Sequence, residues 1–189
     1  MTHYSQWFNM TSDRLSDFAR VKVDVGQTSF FEGREFRMFK ELNIPASGTY
    51  VIRATVPVNT ILMSARLELD LGNVRVGTYV GGTPGGVFTD MATVFGVNNM
   101  TPGIDHRNDY PGIYVRQNVL ADGGTHTGGT ELDVVRLRTA ANANQGGSAG
   151  VDPDEPRGIA PGTYYFRLQN LSATDIATGT FKIRWEERP

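Results

Sequence analysis

The sequence predicts an all-β protein, an antiparallel β-sandwich that is jelly-roll-like and carries an extended N-terminal arm. Three observations lead there: period-two alternation in many short segments, turn signals between them at regular spacing, and a composition rich in glycine, threonine and valine but poor in lysine. Glycine supplies turns with positive φ, while valine, threonine and aromatic residues fit pleated, half-buried strands. The 189 residues suffice for one domain with an arm. The expected division is an arm over 1–27 and a sandwich over 28–189.

From the N-terminus, Trp7, Phe8, Met10, Leu15 and Phe18 are apolar but follow neither a helical nor a strand period. Large anchors without periodicity suit a segment that lies on a neighbouring subunit, and a lead-in packed on its own domain is the competing expectation. Ser12 to Ala19 is the only helix candidate, with Thr11 or Ser12 as cap. Strands are expected over 20–25 and 29–39. Tyr50, Ile52, Ala54 and Val56 then alternate with Val51, Arg53 and Thr55 until Pro57, which has no N–H to donate, stops the ladder. Ile61, Met63, Ala65, Leu67 and Leu69 form an inward stripe. After the Gly72-Asn73 turn signal, Val74, Val76, Thr78 and Val80 read as one arm of a hairpin.

Segments 87–97 and 113–120 are further strand candidates. In Glu131 to Thr139 the apolar phase moves from Leu132 and Val134 to Val135 and Leu137, which predicts a β-bulge near Val134. The run Ala140 to Pro161, rich in Ala, Asn, Gly, Asp and Pro, reads as a long exposed excursion. Two strands close the chain. Tyr164, Phe166 and Leu168 face inward in the first, and Phe181, Ile183 and Trp185 oppose Lys182, Arg184 and Glu186 in the second. About ten short strands at regular spacing favour a sandwich over a βαβ fold. The loops Gly81–Gly86 and Gly123–Gly129 share a GGT followed by a glycine pair and could be equivalent corners of a pseudo-symmetric sandwich.

Chemistry is sparse in the sequence, and a non-enzymatic role is expected. With no cysteine there are no disulfides, no thiol catalysis and no Cys-ligated zinc. A net charge of −2 gives no global field for nucleic acid, and no apolar run is long enough for a membrane helix. The one local basic stretch, Arg34, Arg37 and Lys40 with Phe36 and Phe39, is neutralised by Glu32, Glu35 and Glu41. His3, His106 and His126 have no metal-ligand spacing. Asp105, His106 and Asp109 suit a solvated loop, and Asp152, Asp154 and Glu155 lack the ligand order of an EF-hand loop. Ser148 sits in flexible glycine sequence rather than in a nucleophile elbow. The strand acids Glu68, Asp70, Glu131, Asp133 and Glu186 fall on outward, charge-alternating positions, as salt-bridged or solvated surface. No catalytic, cofactor or metal site is expected. Tyr110 and Tyr114, flanking a loop, and Tyr165, in outward phase, are candidates for a glycan platform, which would need coplanar rings.

Several phrases resemble virion structural proteins of tailed bacteriophages. They are Phe18-Ala19-Arg20-Val21-Lys22-Val23, Gln27 to Arg37, Ile44 to Tyr50, Val80-Gly81-Gly82-Thr83, Gly123 to Gly129 and the end Arg184 to Pro189. The resemblance spans most of the chain and carries no catalytic residue. It implies a particle component assembled in host cytoplasm, either a capsid decoration or cement protein, or a tail or fibre-attachment part. Its partners would be other virion proteins, such as the major capsid protein, and further copies of itself. Trp7, Phe8, Met10, Leu15 and Phe18 would then be contact anchors. A glycan-binding module for host adsorption is the alternative.

Overall fold

The computed structural model describes Ser29 and residues 33–96, 114–139, 147–150 and 157–189. The arm anchors, the helix candidate Ser12–Ala19, the strand candidate 20–25, Tyr110 and the acidic run 152–155 lie outside the described residues. Four long strands open the fold: β1 (Glu35–Ile44), β2 (Thr49–Val56), β3 (Asn59–Leu71) and β4 (Asn73–Val80). Five short ones follow: β5 (Thr83–Gly85), β6 (Thr89–Asp90), β7 (Val94–Gly96), β8 (Val119–Asp122) and β9 (Thr125–Thr127). The chain ends with β10 (Thr130–Arg138), β11 (Gly147–Gly150), β12 (Arg157–Ile159), β13 (Gly162–Asn170) and β14 (Ala177–Arg188).

Two antiparallel sheets face each other. The first runs β11-β3-β14-β1-β7, with β12 also on β3, and the second runs β10-β4-β13-β2-β8-β6. Inward residues of both sheets make the shared core. Phe36, Met38, Leu67, Phe181, Ile183 and Trp185 come from the first sheet, and Ile52, Val74, Val76, Phe166 and Leu168 from the second. The principal strands follow the double Greek key of a jelly roll. The first sheet takes β1, β14, β3 and the β11/β12 edge, while the second takes β2, β13, β4 and β10.

That topology corrects the expected hairpin at Gly72. β3 pairs with β14 and β4 pairs with β13, so the turn carries the chain from one sheet to the other. Alternation reports which face is buried but not which strand lies alongside. Gly72 makes the corner with φ +112°, and a Cβ there would approach the Ala177 Cβ to 2.7 Å. The links β1–β2 and β13–β14 also cross between sheets.

Bulges shift two predicted stripes. In β3 the pairing steps from Ser64–Arg184 to Leu62–Trp185, leaving Met63 as the extra residue. Beyond it the phase inverts, and Leu62 rather than Ile61 packs on the core. In β10 the bulged residue is Leu132, between Glu131 and Asp133, slightly before the expected site. The change of phase in the sequence marks the irregularity correctly. The bulge turns Asp133 away from the outward row to meet Arg157 at 2.5 Å.

The excursion expected over 140–161 contains pairing that the sequence does not announce. β11 pairs with Arg66–Leu69 and β12 with Thr60–Leu62, building the outer edge of the first sheet in two pieces. A short edge strand can pair through backbone hydrogen bonds without apolar alternation in its sequence, which is why Gly147–Gly150 reads as loop. The segments 87–97 and 113–120 contribute less strand than expected: β6 and β7 from one, and the start of β8 from the other. β1 begins at Glu35 rather than residue 29, and just before it the Arg34 amide donates to the Ser29 carbonyl at 2.8 Å.

The two glycine loops are not equivalent corners. They pair with each other as β5 and β9, Thr83 opposite Thr127 and Gly85 opposite Thr125, forming a separate two-stranded ribbon.

Candidate functional site

The most developed surface feature is the outer face of the second sheet, where the ribbon covers part of the strands. Register determines what meets there. Tyr165 on β13 lies between Tyr79 of β4 and Arg53 of β2. In the next row Arg167 lies between Gly77 and Val51, and in the one after that Gln169 lies between Arg75 and Thr49. β10 adds Glu131 beside Tyr79, Arg136 beside Arg75 and Arg138 beside Asn73. Strands distant in sequence thus bring Arg53, Arg75, Arg136, Arg138 and Arg167 onto one face. The acids in these rows are Glu131 and, across β8, Asp90 opposite Ala121. A chain of net charge −2 therefore presents a positive face here.

The ribbon is fixed by His126. Its ring stacks on Tyr165 with centroids 3.9 Å apart and planes at 10°. Its Nε2 is 2.8 Å from the Gly81 carbonyl, to which it donates. Gly82 makes this approach possible: its φ is +86°, and a Cβ there would be 2.5 Å from the His126 Nε2. Val51, Tyr79 and Tyr165, with Phe88 against them, form a small apolar cluster beneath, separate from the main core.

Between ribbon and sheet lies a recess of about 360 Å³. Val51, Tyr79, Arg75 and Arg167 line it from the sheet, with Thr49 and Gln169 beside them. Thr125, His126 and Thr127 line it from the ribbon. Gly77 shapes the floor, since a Cβ there would come within 2.6 Å of the Tyr79 ring. The Tyr79 hydroxyl accepts from Arg75 Nη1 at 2.8 Å and donates to Glu131 Oε1 at 2.7 Å, and Arg75 also pairs with Glu131. The Tyr79 hydrogen bond first, and then Arg75, hold the Glu131 carboxyl below the usual carboxylate range. The Arg75 guanidinium is raised, first by its bond to Tyr79. Arg167 lies over the Tyr79 ring at 3.4 Å. Among the described residues no carboxylate forms an ion pair with it.

Of the sequence candidates, Tyr165 does point outward, but it is only 6% exposed because His126 and Phe88 cover it. Tyr114 lies elsewhere, packed beside Phe36 against the main core, so the two tyrosines do not share a surface. Arg75, Tyr79 and Arg167 were not singled out by sequence reasoning. Their signal is an arginine or tyrosine at the outward phase of strands that prove to be neighbours, and it becomes visible only with the register. Glu186, expected on an outward face, is buried between Arg34 at 3.0 Å and Arg188 at 2.9 Å. Among the described residues no three His, Asp or Glu side chains group closely enough to hold a metal ion.

A second polar cluster joins the two sheets. Asp122 on β8 accepts from Tyr50 and lies 2.9 Å from Lys40 Nζ. Burial opposes ionisation of Asp122, but the bonds from Tyr50 and Lys40 outweigh it and hold the carboxyl low. Burial, reinforced by Asp122, pushes the Tyr50 phenol well up, and burial with the nearby Glu187 charge does the same for Tyr114. Depressed carboxylates stabilise the fold above their unfolded value near about 4, and this is lost as pH falls. Raised phenols keep the folded state protonated, so stability declines once the unfolded chain ionises above about pH 10. Denaturant unfolding across pH should therefore give a plateau with two falling limbs. Tyr50→Phe should make the alkaline limb shallower; an unchanged limb would remove Tyr50 from this role.

No protein-family model, curated protein or solved structure matches the chain.

Proposed function

We propose that the chain is a structural component of a tailed-phage particle, a capsid decoration or cement protein acting through its surfaces. The observation that carries this reading is the double-Greek-key sandwich, an architecture that recurs in viral capsid proteins and lectins. It supports the reading in company with the phage-like phrasing of the sequence. A rigid sandwich of this kind can be seated at a junction between capsomers, with residues 1–27 as the reaching element. Anchors such as Trp7 and Phe8 would then supply buried contact, and many identical contacts would add on a symmetric shell.

One end of the sandwich offers a further contact surface. Leu71, Leu171 and Ile176 are exposed there, at 46%, 40% and 47%. The turn after β3 and the β13–β14 loop bring them together, with the Leu171 amide donating to the Asn73 carbonyl at 2.7 Å. Exposed apolar groups gathered at one place suit a protein partner better than water.

The purified chain should co-sediment saturably with phage heads that lack it, and not with isolated tails. A Trp7→Ala, Phe8→Ala double variant that still folds should bind about tenfold less, as expected when interface anchors are lost. Binding to tails alone would move the protein to the tail. Binding to neither would overturn the reading.

A further inference from the structure

We propose that the recess between the second sheet and the glycine ribbon binds a saccharide bearing a carboxylate, of the uronic-acid class. Its volume, about 360 Å³, falls at the small end of ligand sites, which run from about 300 to 1,000 Å³. That suits a terminal sugar or a short saccharide better than a long polymer segment. Thr49, Thr125, Thr127 and Gln169 offer neutral groups that can both donate and accept, as a ring with several hydroxyls requires.

The charge is what selects an acidic sugar. Arg75 is committed to Tyr79 and Glu131, whereas Arg167 rests on the Tyr79 ring with its guanidinium N–H groups not engaged by a described carboxylate. One such guanidinium matches one carboxylate, which it can hold through a fork of two N–H groups. Arg75 and Arg167 face the single Glu131 carboxylate, which interacts with both, so the recess keeps one positive charge in excess, which a neutral sugar would leave unbalanced and a phosphate dianion would exceed. Single-stranded nucleic acid would need open aromatic faces for base stacking. Here the Tyr79 face is occupied by Arg167 and the Tyr165 face by His126. An acidic peptide side chain would supply the carboxylate but leave the threonines and Gln169 without hydroxyl partners.

The glycines allow this site to exist. Gly77 leaves room for Tyr79 to lie along β4, and Gly82 lets the ribbon close over His126. This inference concerns the recess alone and does not rest on the chain's place in a particle; failure of either leaves the other standing.

The test is calorimetric titration of the full chain with a glucuronate-containing disaccharide, its glucose-containing neutral counterpart and inorganic phosphate. The uronate should bind about tenfold or more tightly than the neutral sugar, as for one charge-assisted contact, and phosphate should not displace it. Arg167→Gln should bring uronate affinity down to that of the neutral sugar. Gln169→Ala, which leaves the Arg167–Tyr79 stack intact, should weaken both sugars. Equal binding of the two sugars, equal competition by phosphate, no binding at all, or full uronate affinity in folded Gln169→Ala would each overturn the proposal.

Discussion

Trp185→Ala is expected to lower the unfolding free energy by about 3–5 kcal/mol, the range for removing a large aromatic side chain from a packed core. Trp185 is 3% exposed and stacks on Phe36 with ring centroids 5.8 Å apart. It stands at the inward position of β14 where the β3 bulge places Leu62 opposite. Neighbouring backbone is held on both sides by long ladders, so the walls can collapse only partly and the cavity remains. Indole Nε1 also donates to Glu187 Oε1 at 3.1 Å, and its loss removes a partner from a buried carboxylate. Urea unfolding should show a lower midpoint with the denaturant slope unchanged. A loss under about 1 kcal/mol would mean that this end of the sandwich is loosely packed.

Glu187→Ala is the second change with a large expected effect. Glu187 is fully buried, and its carboxylate accepts from the Gln117 amide at 2.7 Å, the Asn118 amide at 2.9 Å and the Trp185 indole. The two amides belong to the segment leading into β8, so a side chain from the last strand fixes the return of the long excursion between β4 and β10. Alanine leaves buried donors without an acceptor, at about 1–3 kcal/mol each, and a total loss of about 3 kcal/mol or more is expected. Hydrogen exchange should report it locally, with the Gln117 and Asn118 amides losing protection before the β13 ladder does. Because Trp185 and Glu187 share a hydrogen bond, the double variant should cost less than the sum of the two single ones. Strict additivity would contradict the shared network.

Much of the sandwich is legible in the sequence because burial on one face imposes a period of two. Phe181, Ile183 and Trp185 announce themselves, as do Ile52, Ala54 and Val56. Phase changes also show, and the bulge in β10 is visible in the step from Leu132 to Val135. Pairing is another matter. Nothing local distinguishes a hairpin at Gly72 from a corner between sheets, because both bury Val74 and Val76 in the same way. The edge strand β11 leaves no trace, since backbone pairing requires no pattern of residue types.

The candidate site is the least legible part. Arg75 and Arg167 each read as the exposed residue of an amphipathic strand, and His126 as a member of a glycine loop. Only the ordering β4-β13-β2 and the pairing of the two glycine loops place them around one recess. The outward phase of Tyr165 shows the converse. Tyr165 has the expected direction, but an element from another part of the chain covers it.

The most direct test of the proposed structural role is a cryo-electron density map of any mature tailed-phage particle whose genome carries this sequence. The proposal predicts jelly-roll density fitting β1–β14 on the outer shell at capsomer junctions, with the chain present in a fixed ratio to the major capsid protein. A particle whose head density is fully accounted for by other chains, with this one absent from the purified virion, would contradict it.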